Sequence, residues 1–100
     1  MLKVIITKED NNIKRVEFQG HAMFDDFGKD IVCAAASSIM TTTVNACLKL
    51  DKDSIIYNYV DNGLVLDIVS NDMTTTKLVE NMIELLEELE NEYPKNIKVK

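Results

Sequence analysis

The chain of 100 residues contains one histidine, His21, and two cysteines, Cys33 and Cys47. A cysteine thiolate is a nucleophile, and an adjacent imidazole can form an ion pair with it and give its proton to a leaving amine. His21 and Cys33 are twelve positions apart, so a loop could bring the two side chains together. These residue types therefore predict a Cys–His dyad, with Cys33 as the nucleophile and His21 as its proton partner.

The predicted position of Cys33 at the start of a helix favours a reactive thiol. Asp30 is a good N-cap residue, which makes Cys33 the third helical residue. There the positive end of the helix dipole favours thiolate, and N–H groups without a partner inside the helix could hold an oxyanion. A carboxylate or hydroxyl would orient the imidazole, and Asp30 and Ser37 are the nearest candidates. Ser37 is one helical turn beyond Cys33 on the same face.

Two of the three glycines, Gly20 and Gly28, bracket the segment that joins His21 to the helix. Glycine permits close backbone approach and hinge motion, so we expect a loop that can move. Phe24 and Phe27 lie in this loop and could contact an apolar side chain of a substrate.

Other interpretations of the cysteines remain open at this stage. Cys33 could be an inert small hydrophobic residue, because cysteine is among the most buried residue types. Cys47 is interpreted as structural, since fourteen residues along one helix place it about 21 Å from Cys33. The two thiols then cannot form a disulfide, and with a single histidine they do not form a zinc site. A thiol-transfer protein would need a resolving cysteine near Cys33, and the sequence has no Cys-x-x-Cys pair.

The first half of the chain reads as a hairpin followed by a helix. Residues 2–8 and 13–19 are rich in β-branched residues and phenylalanine, and a polar turn lies between them. Residues 30–50 are apolar or small on all sides, so we expect a helix that is buried on most sides.

A second hairpin and a second helix follow. Residues 54–60 and 64–70 surround Asp61-Asn62-Gly63, and Asn-Gly is a strong hairpin signal. Asn71 or Asp72 can cap the next helix. Its apolar residues recur at spacings of three and four, and its other face is acidic; the apolar stripe consists of Leu78, Val79, Met82, Leu85, Leu86, Leu89 and Tyr93.

Pro94 ends the second helix, and Ile97–Val99 can form a last short strand. The order ββαββαβ predicts a single α/β domain over residues 1–100. We expect a two-layer sandwich in which one mostly antiparallel or mixed sheet packs with two helices.

Composition limits the partners. Eleven basic and seventeen acidic residues give a net charge of −6, which opposes binding to bare nucleic acid or an anionic membrane and suits a basic partner. The apolar stretch at the amino terminus is too short for a signal peptide, and we expect no run long enough to span a membrane. These observations predict a cytoplasmic protein whose thiols stay reduced and which needs no cofactor or metal.

The stretch Gly20-His21-Ala22, the following Gly-containing loop and the segment Asp30-Ile-Val-Cys-Ala-Ala-Ala-Ser-Ser38 closely resemble the bacterial ribosomal-processing cysteine protease family, Prp. Chain length, element order and the spacing from His21 to Cys33 are also similar, so the resemblance covers essentially the whole domain. It implies that His21 and Cys33 form the dyad.

The resemblance further implies an endopeptidase that removes the N-terminal extension of a large-subunit ribosomal protein, the twenty-seventh, as a step in ribosome maturation. Cleavage after a phenylalanine, a homodimer, and supporting positions for Gly20, Asp30 and Ser37 are implied in the same way. The alternative from another class is a non-enzymatic ribosome-assembly or protein-interaction module in which Cys33 is buried and inert.

Overall fold

The protein is described from a computed structural model, which covers residues 1–20 and 30–100. The elements appear in the predicted order ββαββαβ. They are β1 Leu2–Glu9, β2 Asn12–Gln19, α1 Ile31–Leu50, β3 Ile55–Val60, β4 Gly63–Ile68, α2 Met73–Glu92 and β5 Ile97–Val99.

The strands form one five-stranded sheet in the order β3-β4-β2-β1-β5. β5 pairs with β1 in parallel, and every other neighbouring pair is antiparallel, so the sheet is mixed as expected. Val4, Phe18 and Leu64 lie side by side in this register, and all three are buried. The inward-facing side chains of the strands and the buried faces of both helices form a single core cluster. This arrangement confirms the α/β sandwich.

The two hairpins turn through residues with positive φ. Asp10 and Asn11 have φ values of 52° and 66°, and Asn62 has 62°. The turn between β3 and β4 therefore places Asn62, and not Gly63, in the left-handed region. Gly63 is instead the first residue of β4, and a Cβ atom there would overlap the carbonyl oxygen of Phe18. The glycine is required because the backbone of β2 passes too closely for a side chain.

Helix α1 is less buried than its sequence suggests. Its buried residues form one stripe, while most of its alanine, serine and threonine residues face outward; the stripe consists of Val32, Ala36, Thr43, Val44 and Cys47. The expectation of burial on most sides was wrong because small uncharged side chains fit a buried or an exposed surface equally well.

By length and composition alone, α1 could also cross a membrane, so the expectation that no run is long enough was wrong as well. The apolar stripe of α1 packs in the core. Near the end of the helix, the Oγ atom of Ser54, which precedes β3, donates a 3.1 Å hydrogen bond to the carbonyl of Cys47. The core helix of a globular domain passes the same compositional test.

Asp72, one of the two candidates, caps α2. Its carboxylate accepts a 2.7 Å hydrogen bond from the backbone N–H of Thr75, and its hydrogen bonds hold the pKa of this carboxyl below its usual value. The predicted apolar stripe is correct at Val79, Met82 and Leu86, but Leu85 is exposed. Ile83 is buried in the core and was not assigned to the stripe.

Candidate active site

Cys33 is the third residue of α1, as the sequence predicts. Its side chain is half-buried and packs against the core cluster. The first turn of a long helix therefore presents the thiol at the surface of the domain, on a backbone that the core holds in place.

Asp30 caps this helix. Its Oδ1 atom accepts hydrogen bonds of 3.0 Å from the N–H groups of both Val32 and Cys33, and its carbonyl accepts one from Ala34. The N-cap prediction is confirmed. The expectation that the N–H groups of this turn could hold an oxyanion was wrong for Val32 and Cys33, because the buried Asp30 carboxylate already occupies both donors.

A cleft of about 220 Å³ opens beside the thiol. One wall is the first three turns of α1, and the other walls come from the ends of four strands. The lining residues are Leu2, Phe18, Gly20, Cys33, Ala36, Ser37, Met40, Tyr59, Gly63 and Leu64. None of these side chains is charged. The cleft can therefore accept an apolar or aromatic group next to the sulfur of Cys33.

Two of the predicted supporting residues, Gly20 and Ser37, line this cleft with Cys33. Gly20 has a φ of 86°, its N–H donates a 2.9 Å hydrogen bond to the carbonyl of Asn62, and a Cβ atom there would stand 2.7 Å from the carbonyl oxygen of Met1. Ser37 is exposed, one helical turn from Cys33. Asp30, the third supporting residue, holds the helix terminus but does not line the cleft.

The other predicted site residues lie outside the described residues. These are His21, the proposed proton partner, and the loop residues Phe24, Phe27 and Gly28. Their assignments stay predictions.

Sequence reasoning missed the residues that give the cleft its apolar character, among them Phe18, Met40 and Tyr59. Each was assigned to an element, but not to a site. The missing information is the strand order, because β2 and β4 become neighbours only when the second hairpin joins the first. No local pattern in the sequence specifies that pairing.

A larger groove of about 360 Å³ lies at the opposite ends of the strands, between the first hairpin and α2. Its floor is apolar, Lys8 and Lys14 lie on one side, and Glu80, Glu84 and Glu87 lie on the other. Its lining contains no cysteine. Size alone would favour this groove, but Cys33, the predicted nucleophile, lines the smaller cleft.

Cys47 lies fourteen residues after Cys33 on the same helix and is 1 % exposed. Neither cysteine is part of a disulfide, and burial raises the pKa of Cys47. The structural interpretation of Cys47 agrees with this position. Of the two cysteines, only Cys33 borders a cleft that a substrate could enter.

The chain matches the family model described as cysteine protease Prp over residues 1–98. It is 35% identical to the ribosomal processing cysteine protease Prp of Staphylococcus aureus strain Mu50, with 99% of this chain and 97% of the relative covered. It is 31% identical to the protein of the same name from Bacillus subtilis strain 168, with 90% and 87% covered.

Solved structures agree over the whole chain. The essential ribosomal processing protease Prp from S. aureus, in complex with a covalently linked product peptide, superposes with a TM-score of 0.94 at 32% identity, covering 100% of this chain and 98% of that one. The same S. aureus protease in complex with a substrate peptide gives 0.87 at 31% identity, with the same coverage.

Proposed function

This chain belongs to the Prp family of cysteine proteases, and from that premise we propose that it removes the N-terminal extension of a ribosomal protein precursor, the twenty-seventh protein of the large subunit. The observation that carries the proposal is the cleft with Cys33 in its wall, whose described lining residues carry no charge. Membership in a family of proteases argues against the non-enzymatic module that the composition alone left open.

Cys33 is the proposed nucleophile. Its thiolate sulfur attacks the carbonyl carbon of the scissile peptide bond, and the imidazolium of His21 gives its proton to the leaving amine. The bond between carbonyl carbon and nitrogen breaks, which leaves a thioester on Cys33. Water then attacks the thioester with His21 as the base, so the carboxylic acid product leaves and the thiol is restored.

The apolar cleft supports a peptide with an aromatic residue at the cleavage site. Phe18, Met40 and Leu64 offer dispersion contacts to a large ring, and among the described lining residues no charge would have to be desolvated. The covalently linked product peptide in the S. aureus relative is the kind of species that a nucleophilic cysteine forms. We therefore propose cleavage after a phenylalanine of the extension.

The proposed setting is the cytoplasm, where thiols stay reduced and ribosomal proteins are made. A net charge of −6 attracts a basic ribosomal protein and disfavours direct contact with nucleic acid. We also propose a homodimer, as the family resemblance implies. Light scattering or sedimentation at several protein concentrations measures the oligomeric state.

The decisive experiment is mass spectrometry of the purified precursor after incubation with the protein. The wild type should produce one cut within the extension, while Cys33→Ala and His21→Ala should each lose more than 10³-fold in kcat/KM, as expected for a unit of nucleophile and base. Cys47→Ala is the matched control for loss of a thiol and should cleave at the same site. Precursor left intact by the wild type would refute the proposed substrate.

A further inference from the structure

The two edges of the sheet are built differently. β3 and β5 are the edge strands, and each leaves one row of backbone N–H and C=O groups facing away from the sheet. Such a row pairs readily with a strand from another chain unless it is protected. The protection is present at one edge and absent from the other.

β5 is protected by the chain itself. It has three residues, and its bonds to β1 leave the N–H groups of Ile97 and Val99 pointing outward. Ile97 donates to the carbonyl of Tyr93, and Val99 donates to the carboxylate of Glu90, each at 3.2 Å. Lys98 adds a charge at the same edge and lies 3.8 Å from Glu90. This edge has no N–H group left for an incoming strand.

β3 has none of these protective features. Its six residues, Ile55–Val60, include no charge and no proline. The carbonyl of Ser54 accepts from the N–H of Val69, which fixes the alternation: residues of even number bond to β4, and Ile55, Tyr57 and Tyr59 turn their backbone groups outward. Within residues 1–20 and 30–100, no hydrogen bond reaches the outward groups of Tyr57 or Tyr59.

The open edge leads into the cleft that contains Cys33. Tyr59 belongs to the edge and also lines the cleft. Tyr59 is 79 % exposed as a residue, and its ring stands edge-to-face with that of Tyr57, with the centroids 6.1 Å apart. Both rings lie on the helix side of the sheet, because their cross-strand partners are the core residues Leu66 and Leu64. An extended peptide bonded to this edge would therefore have its own alternate side chains beside the tyrosines and the cleft.

We propose that the substrate peptide binds as a sixth strand on β3, with its backbone bonded to Tyr57 and Tyr59 and its scissile bond delivered to Cys33. The proposal rests on the proposed function and adds how the substrate is held. Backbone pairing supplies affinity that depends little on sequence, and the cleft selects one side chain. The occupant is a peptide rather than a second copy of the chain, because the edge is continuous with the proposed catalytic cleft.

The chain offers a direct test because it has only three tyrosines, at positions 57, 59 and 93. Protein with ¹⁵N-labelled tyrosine and Cys33→Ala gives three tyrosine amide signals and cannot cleave its ligand. The probe is a peptide that spans the cleavage site of the precursor. At saturation, solvent exchange of the Tyr57 and Tyr59 amides should slow at least tenfold. Tyr93 is the internal control, since its N–H already donates to the carbonyl of Leu89.

Two results would overturn the proposal. In one, peptide addition shifts the Tyr59 signal while both edge amides exchange at their free rates. In the other, the edge amides are protected without peptide, increasingly so at higher protein concentration, which would assign β3 to a second copy. Failure of the proposed function is distinguishable, because the unlabelled wild type would then leave the precursor intact.

A substrate series gives an independent readout. Methylation of one backbone nitrogen at a time removes one donor and adds bulk at that amide. Since alternate residues of a paired strand face the edge, kcat/KM should fall at least tenfold at alternate positions and change little between them. Equal losses at successive positions would exclude strand pairing.

Discussion

The two cysteines of α1 show how one residue type can occupy two environments on one helix. Cys33 lies at the helix terminus, half-buried at a cleft, whereas Cys47 is enclosed by the core near the other end. Fourteen residues separate them, so neither can substitute for the other. The difference is set by environment, since thiol reactivity follows thiolate character and access.

Labelling with iodoacetamide should distinguish the two thiols. At pH 8 we expect Cys33 to react at least tenfold faster than Cys47, because burial both blocks access to Cys47 and raises its pKa. Peptide mapping by mass spectrometry measures the two rates. In Cys33→Ala, labelling should be negligible until denaturant unfolds the protein; rapid labelling of Cys47 in the native variant would contradict this assignment.

The raised pKa of Cys47 also predicts a loss of stability in alkali. The folded state favours the neutral thiol, so this contribution is complete below the unfolded thiol pKa and is lost as the pH rises through the folded pKa. Between pH 9 and 11, the free energy of unfolding measured in urea should therefore fall more steeply with pH for the wild type than for Cys47→Ala. Parallel curves would show that the thiol does not titrate on unfolding.

Gly63 is a residue where one methyl group should be costly. A Cβ atom would overlap the carbonyl oxygen of Phe18, and both groups belong to the paired backbones of β2 and β4. We expect Gly63→Ala to lower the free energy of unfolding by about 3 kcal/mol, as overpacking does. Asn62→Gly is the control in the same turn, because a φ of 62° suits glycine, and it should change stability little. Chemical denaturation measures both.

At the scale of elements, the sequence predicts the helix caps and the apolar periodicity of α2, but it does not predict which strands pair. Asp30 and Asp72 are short acidic side chains placed before segments rich in apolar residues, and each caps a helix as such residues do. The cleft depends on which strands become neighbours, and Phe18, Tyr59 and Leu64 reach it from three strands whose order no local signal encodes. The expectation of an oxyanion site was wrong for the N–H groups of Val32 and Cys33, because both donate to the capping carboxylate of Asp30.

Asp30 allows the capping role to be separated from a role in catalysis. Asp30→Ala should lower the free energy of unfolding by about 1 kcal/mol, because the N–H groups of Val32 and Cys33 lose their acceptor. Asp30→Asn keeps a capping oxygen and should retain most of that stability. If Asp30 also orients His21 through its charge, both variants lose kcat; a fully active Asp30→Asn would restrict the residue to the cap.

At the scale of the whole molecule, the net charge affects the rate at which a substrate approaches more than it affects the chemical step. Seventeen acidic residues against eleven basic ones give the molecule a negative field, whereas the lining of the cleft in the described part of the chain carries no charge. Such a field accelerates the approach of a basic protein and contributes little to an uncharged peptide.

This separation predicts a different salt response for two substrates. Raising ionic strength from 50 to 300 mM should reduce kcat/KM for the intact basic precursor several-fold, because salt screens attraction beyond roughly one Debye length. A short peptide of zero net charge with the same cleavage site should change less than twofold. Equal salt dependence for both substrates would show that salt acts on the enzyme and not on its attraction to the basic precursor.

The uncharged edge of β3 also has a consequence for handling the protein. A six-residue strand with exposed isoleucine, tyrosine and valine is a nucleus for aggregation, since identical strands can stack without charge repulsion. Preparations without ligand should therefore precipitate at lower concentration than those that contain a bound peptide. A peptide-like inhibitor that spans this strand would act as a solubilising agent as well as a blocker, so long-term colloidal stability offers a screen that needs no enzymatic assay.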